Sequence, residues 1–246
     1  MINLSYDFHI HSCLSPCGDN DMTPQNIAAM SALKRLDVIA ITDHNSCKNC
    51  ASVIDAAQVY DLLVIPGMEL TTSEEVHVLC LFYDLTSALN FDDYVYKHLL
   101  PIKNNAKIFG EQLLCNSQDK VIGNVENLLI NSTDISLDSL WELVTEYNGI
   151  IIPAHLDKDS TSIISNLGFI PLDSKFKCAE FKDTKKLKEL TESNPILSSC
   201  SIITSSDAHY LQDISEPIHT IQVDEKNIRS ILDTLSKKIN RWNPNY

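Results

Sequence analysis

The sequence predicts an α/β protein closed into a barrel, and three observations carry that reading. Short apolar runs alternate with stretches of helical spacing over most of the chain. Several runs are continuous and rich in Ile, Val and Leu, as in strands covered on both faces of a parallel sheet. About seven or eight such units are the number expected of a closed ring of strands.

In chain order the strand-like runs are Leu4–His11, Asp37–Thr42, Leu62–Pro66, Val76–Phe82, Gly149–Ala154, Lys177–Phe181, Ser201–Ser205 and Ile218–Val223. Helical spacing of apolar positions marks Thr23–Arg35, Lys48–Tyr60, Ser136–Tyr147, Thr184–Thr191 and Glu225–Lys238. Three of these carry start signals: Thr23 followed by Pro24, Ser136 before Leu137 and Asp138, and Asp224 before Glu225. The rhythm breaks from Asp84 to Asp134, a connection too long for an ordinary loop. That stretch reads as an inserted cap, with a helix near Phe91–Leu100 and a small hairpin around Asn116–Val125. The expectation is one domain over residues 1–246 that carries this cap at 84–134.

Composition excludes several classes. With 33 acidic and 19 basic residues the formal net charge is −14, and the chain has three arginines. A surface built to track long nucleic acid needs a basic stripe, so that partner is not expected. None of the six glycines forms the GxGxxG or GxxxxGKS/T signature, which removes dinucleotide folds and P-loop enzymes. No apolar run approaches ~20 residues and Met1–His11 lacks a secretory layout, so a cytoplasmic protein with no membrane partner is expected. Cys47-Lys-Asn-Cys50 has the spacing of half a zinc site, for which Cys13 and Cys17 are the available second half. The simpler reading is that the eight cysteines are free thiols, those four among them small buried residues.

The histidines are the most informative feature. In Asp7-Phe8-His9-Ile10-His11 the period of a strand puts Asp7, His9 and His11 on one face and Phe8 and Ile10 on the other. The second strand ends Ile41-Thr42-Asp43-His44, the third runs into Pro66-Gly67-Met68-Glu69, and the next contains Val76-His77. Later strands close on Pro153-Ala154-His155 and on Ser206-Asp207-Ala208-His209. Barrel enzymes place their sites at the C-terminal strand ends, so six imidazoles and several carboxylates converge on one mouth. Mixed imidazole and carboxylate donors suit zinc, manganese or iron and do not suit calcium. His98 and His219 fall outside the pattern and are read as structural.

These motifs resemble the PHP family, the phosphoesterases named for polymerase and histidinol phosphatase. The match runs through His9-Ile-His11, Asp19 ahead of Thr23-Pro24, Thr42-Asp43-His44, Pro66-Gly-Met-Glu69, Val76-His77, Pro153-Ala-His155 and Ser206-Asp207-Ala-His209. The resemblance implies a distorted (β/α)7 barrel with three divalent metal ions. It implies a first metal on His9, His11, Glu69 and Asp207, and a second on Glu69, His77 and His155. The third falls to Asp19, His44 and His209, with Asp21 the alternative to Asp19, because the gap after His11 is longer than the family's and no glycine follows the aspartate. Asp43 is expected to orient ligands. Lys158 and Lys182 are candidate phosphate contacts, each with a solvated-surface alternative.

The chemistry implied is hydrolysis of a phosphate ester by a hydroxide bridging two metals, with Asp207 or His209 as candidates for proton transfer. Three divalent ions against the carboxylates of Asp19, Glu69 and Asp207 leave a positive mouth in an acidic protein. A small phosphorylated metabolite or nucleotide is the expected substrate. The runner-up is a nuclease acting on short RNA or DNA. Amidohydrolases share His-x-His on a barrel strand, but His209 after Asp207 and a bridging Glu69 favour phosphoester chemistry. A metal-bound regulatory domain without catalysis is the remaining reading, and the full ligand set speaks against it.

Overall fold

A computed structural model describes residues 1–237. The architecture is α/β with a sheet curled into a half-barrel. The order of elements is β1 (Ile2–Ile10), α1 (Pro24–Leu33), β2 (Val38–Ile41), α2 (Cys50–Ala57), β3 (Leu63–Thr71) and β4 (His77–Phe82). The stretch read as a cap then holds α3 (Leu85–His98), α4 (Ala106–Phe109), β5 (Leu113–Cys115) and β6 (Val121–Asn124). After it come α5 (Leu137–Glu146), β7 (Gly149–Pro153), α6 (Ile163–Leu167), β8 (Cys178–Glu180), α7 (Leu187–Ser193), β9 (Ser201–Ile203), β10 (Thr220–Val223) and α8 (Ile228–Leu235).

The sheet is not the all-parallel ring that apolar runs alone suggest. Its order is β10-β1-β2-β3-β4-β7, with β8 and β9 forming a separate parallel pair. β1, β2 and β3 are parallel, whereas β4 runs antiparallel to both β3 and β7, and β10 runs antiparallel to β1. Strand direction depends on pairing between distant segments, and a continuous apolar run carries no mark of it. The β8–β9 pair bridges the remaining gap. On one side Leu156 N–H donates to Glu180 O at 2.9 Å, and on the other Ala208 pairs with Ile10.

Gly67 is where β3 changes partners. Residues Leu63 to Pro66 pair with β2, while Gly67 to Thr71 pair with β4. A Cβ at Gly67 would press into the Cys80 carbonyl and the Leu81 side chain, so the crossing needs glycine. The strand consequently runs five residues beyond the predicted end at Pro66 and carries Glu69 within it.

One apolar cluster joins Ile39, Ile41, Met68, Val78 and Cys80 to residues of α1, α2, α3 and α5. A second gathers Tyr6, Phe8, Val38, Ala40, Ile65, Leu79 and Ile152 with Ile231 and Leu232 of α8. A register irregularity between Asp7 and Ile10 sends Phe8 and Ile10 into different clusters, so these two do not share one face as strict alternation predicts.

Helix starts follow local chemistry. Pro24 opens α1, and Ser136 caps α5 by accepting from Ser139 N–H. α3 begins six residues before the predicted Phe91 because Asp84 accepts from Ser87 N–H at 2.8 Å. α8 starts at Ile228 on an Asn227 cap instead of at Glu225 after Asp224, and Lys238, the predicted end of this helix, lies outside the described residues. Among the described residues no helix is long and apolar enough to cross a membrane.

Candidate metal centre

β1 delivers the first two imidazoles. His9 and His11 are fully buried, with their Nε2 atoms 3.1 Å apart and each 3.4 Å from Asp207 Oδ1. Beyond β2, His44 pairs with Glu69 in a parallel bridge, which fixes the loop between them by backbone bonds. His77 is the first residue of β4, so it lies at an N-terminal strand end; it still reaches the mouth because β4 is antiparallel. His155 follows β7, and Asp207 and His209 follow β9. His155 and Asp207 both adopt left-handed backbone conformations, φ 31° and 53°, which side chains tolerate at a cost and which cluster at functional sites.

Glu69 is the hub. Its Oε1 lies 2.9 Å from His77 Nδ1, 3.0 Å from His155 Nε2 and 3.3 Å from His9 Nε2. Its Oε2 lies 3.1 Å from His44 Nδ1 and 3.3 Å from His11 Nε2. Burial pushes its carboxyl upward, but His77, His9 and His44 hold it well below the usual range, so it is ionised. Burial alone would likewise lower His9, yet Glu180, Glu69 and Asp207 hold it well above its ordinary value. His11 is raised too, by Asp207 and Glu69 against burial. Burial and the neighbouring His11 push His44 down to about 3 and His209 down to about 4, which leaves both neutral at pH 7.

Among the described residues, three groups of donor atoms close enough to share an ion result: His9, His11, Glu69 and Asp207; His44, Glu69 and His77; and His11, His44 and His209. The first is the set expected for the first metal. In the second group His44 stands where His155 was expected; His155 Nε2 lies 3.0 Å from Glu69 Oε1 but is not gathered with His77. Asp19 joins none of the three groups: its Oδ1 accepts from Asp21 N–H at 2.8 Å, and its N–H donates to the His209 carbonyl at 2.9 Å. Asp21 is exposed and joins none of the three groups.

A second layer orients the rings. Asp43 accepts from Ser12 N–H, Ser12 Oγ and Ser15 Oγ at 2.6, 2.6 and 2.8 Å. With its proton given to Asp43, Ser15 Oγ must accept from His11 Nδ1 at 2.9 Å, which turns the His11 Nε2 lone pair inward. Glu180, which sequence reasoning missed, does the same for His9. It is buried at the end of β8 and accepts from His9 Nδ1 at 3.0 Å and from His155 N–H at 3.0 Å. His209 Nδ1 donates to the Asp207 carbonyl at 2.9 Å.

The other predicted residues fall outside this core. Asp7 shares the strand with His9 but spends its carboxylate on Ser206 N–H and Ser215 N–H. Lys158 Nζ sits 2.5 Å from Asp207 Oδ2 at the rim, and the Lys182 ammonium bonds the Ser206 carbonyl. Cys47 and Cys50 are buried beneath the sheet with their thiols turned toward the Gly67 carbonyl, and Cys17 is exposed, so no cysteine zinc site is gathered among the described residues. His98 pairs with Asp134 at 2.6 Å, and His219 lies against Tyr6, both structural.

Fold and site together define a class: α/β proteins with a curled sheet whose strand ends bring imidazoles and carboxylates to one mouth, in groups able to hold metal. The PHP domain model matches residues 7–156, and the chain belongs to that family. An uncharacterised protein of Methanocaldococcus jannaschii is 29% identical over 100 residues, which is 37% of this chain and 58% of that protein. The fold resembles that of the lesion-specific endonuclease Q of Pyrococcus furiosus, with a TM-score of 0.68 and 17% identity over 96% of this chain and 56% of that one. It also resembles an amidohydrolase of Chromobacterium violaceum solved with bound sulfate, with a TM-score of 0.60 and 14% identity over 93% and 96%. This chain thus spans little more than half the length of the curated relative and of the endonuclease.

Proposed function

We propose that this protein is a metal-dependent phosphoesterase that hydrolyses a phosphate ester of a small metabolite or nucleotide at a three-metal site. The observation that carries the reading is Glu69, whose two oxygens face different sets of imidazoles inside a buried cluster. A carboxylate shared in this way suits a bridge between two ions. The donor set fits metal for a second reason: His44 Nδ1 is buried 3.1 Å from Glu69 Oε2 without hydrogen-bond geometry, an arrangement costly for a polar atom unless a ligand takes it.

His9, His11, Glu69 and Asp207 would hold one ion, and Glu69, His77 and His155 a second. His44 and His209 would hold a third, which Asp19 would complete once its carboxylate leaves the Asp21 amide. Zinc, manganese and iron all match this mixture of donors. When bound, such ions supply Lewis acidity and lower the pKa of water enough to give a nucleophile at neutral pH. The chain's own groups do the rest. Glu180 and Ser15 fix which nitrogen of His9 and His11 faces the site, and Asp43 positions Ser15. Lys158 and Lys182 place positive charge at the rim for a phosphate, and Asp207 and His209 are the groups placed to move a proton at the leaving oxygen. The whole forms one domain, with 84–134 as its cap.

The test is phosphate release by metal-reconstituted protein over phosphomonoesters, nucleotides and short 5′-phosphorylated oligonucleotides, with Glu69→Ala as control. Release from a small ester that the variant loses supports the proposal. Shortening of oligonucleotides alone would establish instead the nuclease reading, which the likeness to endonuclease Q keeps as the runner-up.

A further inference from the structure

Beside the metal centre lies a cleft of about 290 Å³ between the loop after β1 and the inserted segment. Asp19 and Asn20 form one wall, Gly110 and Glu111 another, and Tyr210 the third. The cleft abuts the site directly. Tyr210 follows His209 in the chain, and Asp19 N–H donates to the His209 carbonyl. Its volume is near the lower end for ligand pockets, about 300 Å³, so it takes one compact group and not a chain.

Its chemistry is unlike that of the mouth. Tyr210 is 47% exposed, and among the described residues its ring stacks on no other ring and its hydroxyl bonds to nothing. An aromatic face held open next to a buried ligand loop is a surface for a flat partner. Glu111 and Asn20 make no side-chain hydrogen bond among the described residues, which leaves an acceptor-only carboxylate and an amide with both donor and acceptor uncommitted in the cleft lining. Glu111 repels a phosphate. A substrate that places its phosphate at the metals must therefore present here an uncharged part with a π face and hydrogen-bond donors.

We infer that this cleft binds the nucleoside part of a nucleotide, with the base stacked on Tyr210 and its polar edge read by Asn20 and Glu111. The inference deepens the phosphoesterase reading and rests on it for the place of the phosphate, but the binding of a nucleoside is separable from the chemistry. The wall contributed by the insertion is fixed in place. Gly110 has φ 97°, and a Cβ there would strike the Pro16 carbonyl, while Leu113 N–H donates to the Cys13 carbonyl at 2.9 Å.

The experiment is calorimetric titration of the full chain with adenosine, cytidine and ribose, none of which carries a phosphate. Nucleosides should bind while ribose does not. Tyr210→Ala should weaken nucleoside binding by about tenfold or more, and Tyr210→Phe, which keeps the ring, should retain it. The inference is overturned if nucleosides do not bind, if Tyr210→Ala binds them as wild type does, or if ribose binds equally well. Nucleoside binding at Tyr210 without phosphate release from any ester would sink the phosphoesterase proposal and leave this one standing; phosphate release without nucleoside binding would do the reverse.

Discussion

Glu180 touches no atom proposed to bind metal through its own oxygens, yet its replacement should weaken metal binding. Its Oε2 accepts from His9 Nδ1 and from His155 N–H, both at 3.0 Å, and its Oε1 lies 3.2 Å from the same His9 nitrogen. Two proposed ligands therefore lean on one buried carboxylate. Glu180→Gln keeps the shape and one oxygen but removes the charge. The loss of such an orienting partner costs about 10–100-fold in metal affinity, or about 1.4–2.7 kcal/mol. Glu180→Ala removes both acceptors and leaves two buried donors unpaired, at about 1–3 kcal/mol each in folding stability. The assay is competition with a chromophoric chelator for the glutamine variant, and denaturant unfolding of the metal-free protein for the alanine variant. Metal affinity in Glu180→Gln within a factor of two of wild type would refute the orienting role.

Three other outcomes follow. Ligating imidazoles must be neutral, and His9 and His11 hold protons above their ordinary range in the metal-free protein. Metal uptake near pH 7 should therefore release protons, with affinity rising as pH rises by up to about tenfold per unit for each proton displaced; calorimetry in buffers of different ionisation enthalpy measures this, and zero release contradicts it. Gly110→Ala should destabilise the protein by about 1–3 kcal/mol and speed amide exchange across 99–134, because the insertion rests on Pro16 at that point; an unchanged unfolding midpoint contradicts it. Lys158→Ala should raise KM for a phosphate ester several-fold with little change in kcat, since Lys158 reaches the site only at its rim; a fall in kcat alone would place Lys158 in the chemistry instead.

What could be read from the sequence was local. His9 and His11 were legible because a strand's period of two is written into adjacent residues, and the histidines that end β2, β7 and β9 were legible as strand ends. The antiparallel course of β4 was not, because the pairing of Val78 with Leu70 and Pro153 is set across the sheet. His77 was therefore placed at the right mouth by the wrong strand end. Glu180 was invisible for a related reason. It is a lone carboxylate in a three-residue strand, and its partner His9 is 171 residues away. The one available signal was a charged residue inside the apolar run Lys177–Phe181, where burial without a partner would be prohibitive. Spacing put Asp19 near the site but said nothing of its side chain, whose Oδ1 accepts from Asp21 N–H and which joins none of the donor groups.

The account turns on whether the atoms around Glu69 hold metal. The most direct test is diffraction from crystals of protein loaded separately with zinc and manganese, recorded on both sides of each metal's absorption edge. The account predicts anomalous peaks on either side of Glu69, one within reach of His9, His11 and Asp207 and one within reach of His77 and His155. Loaded crystals with no anomalous density at Glu69, or with metal only elsewhere on the surface, would contradict it.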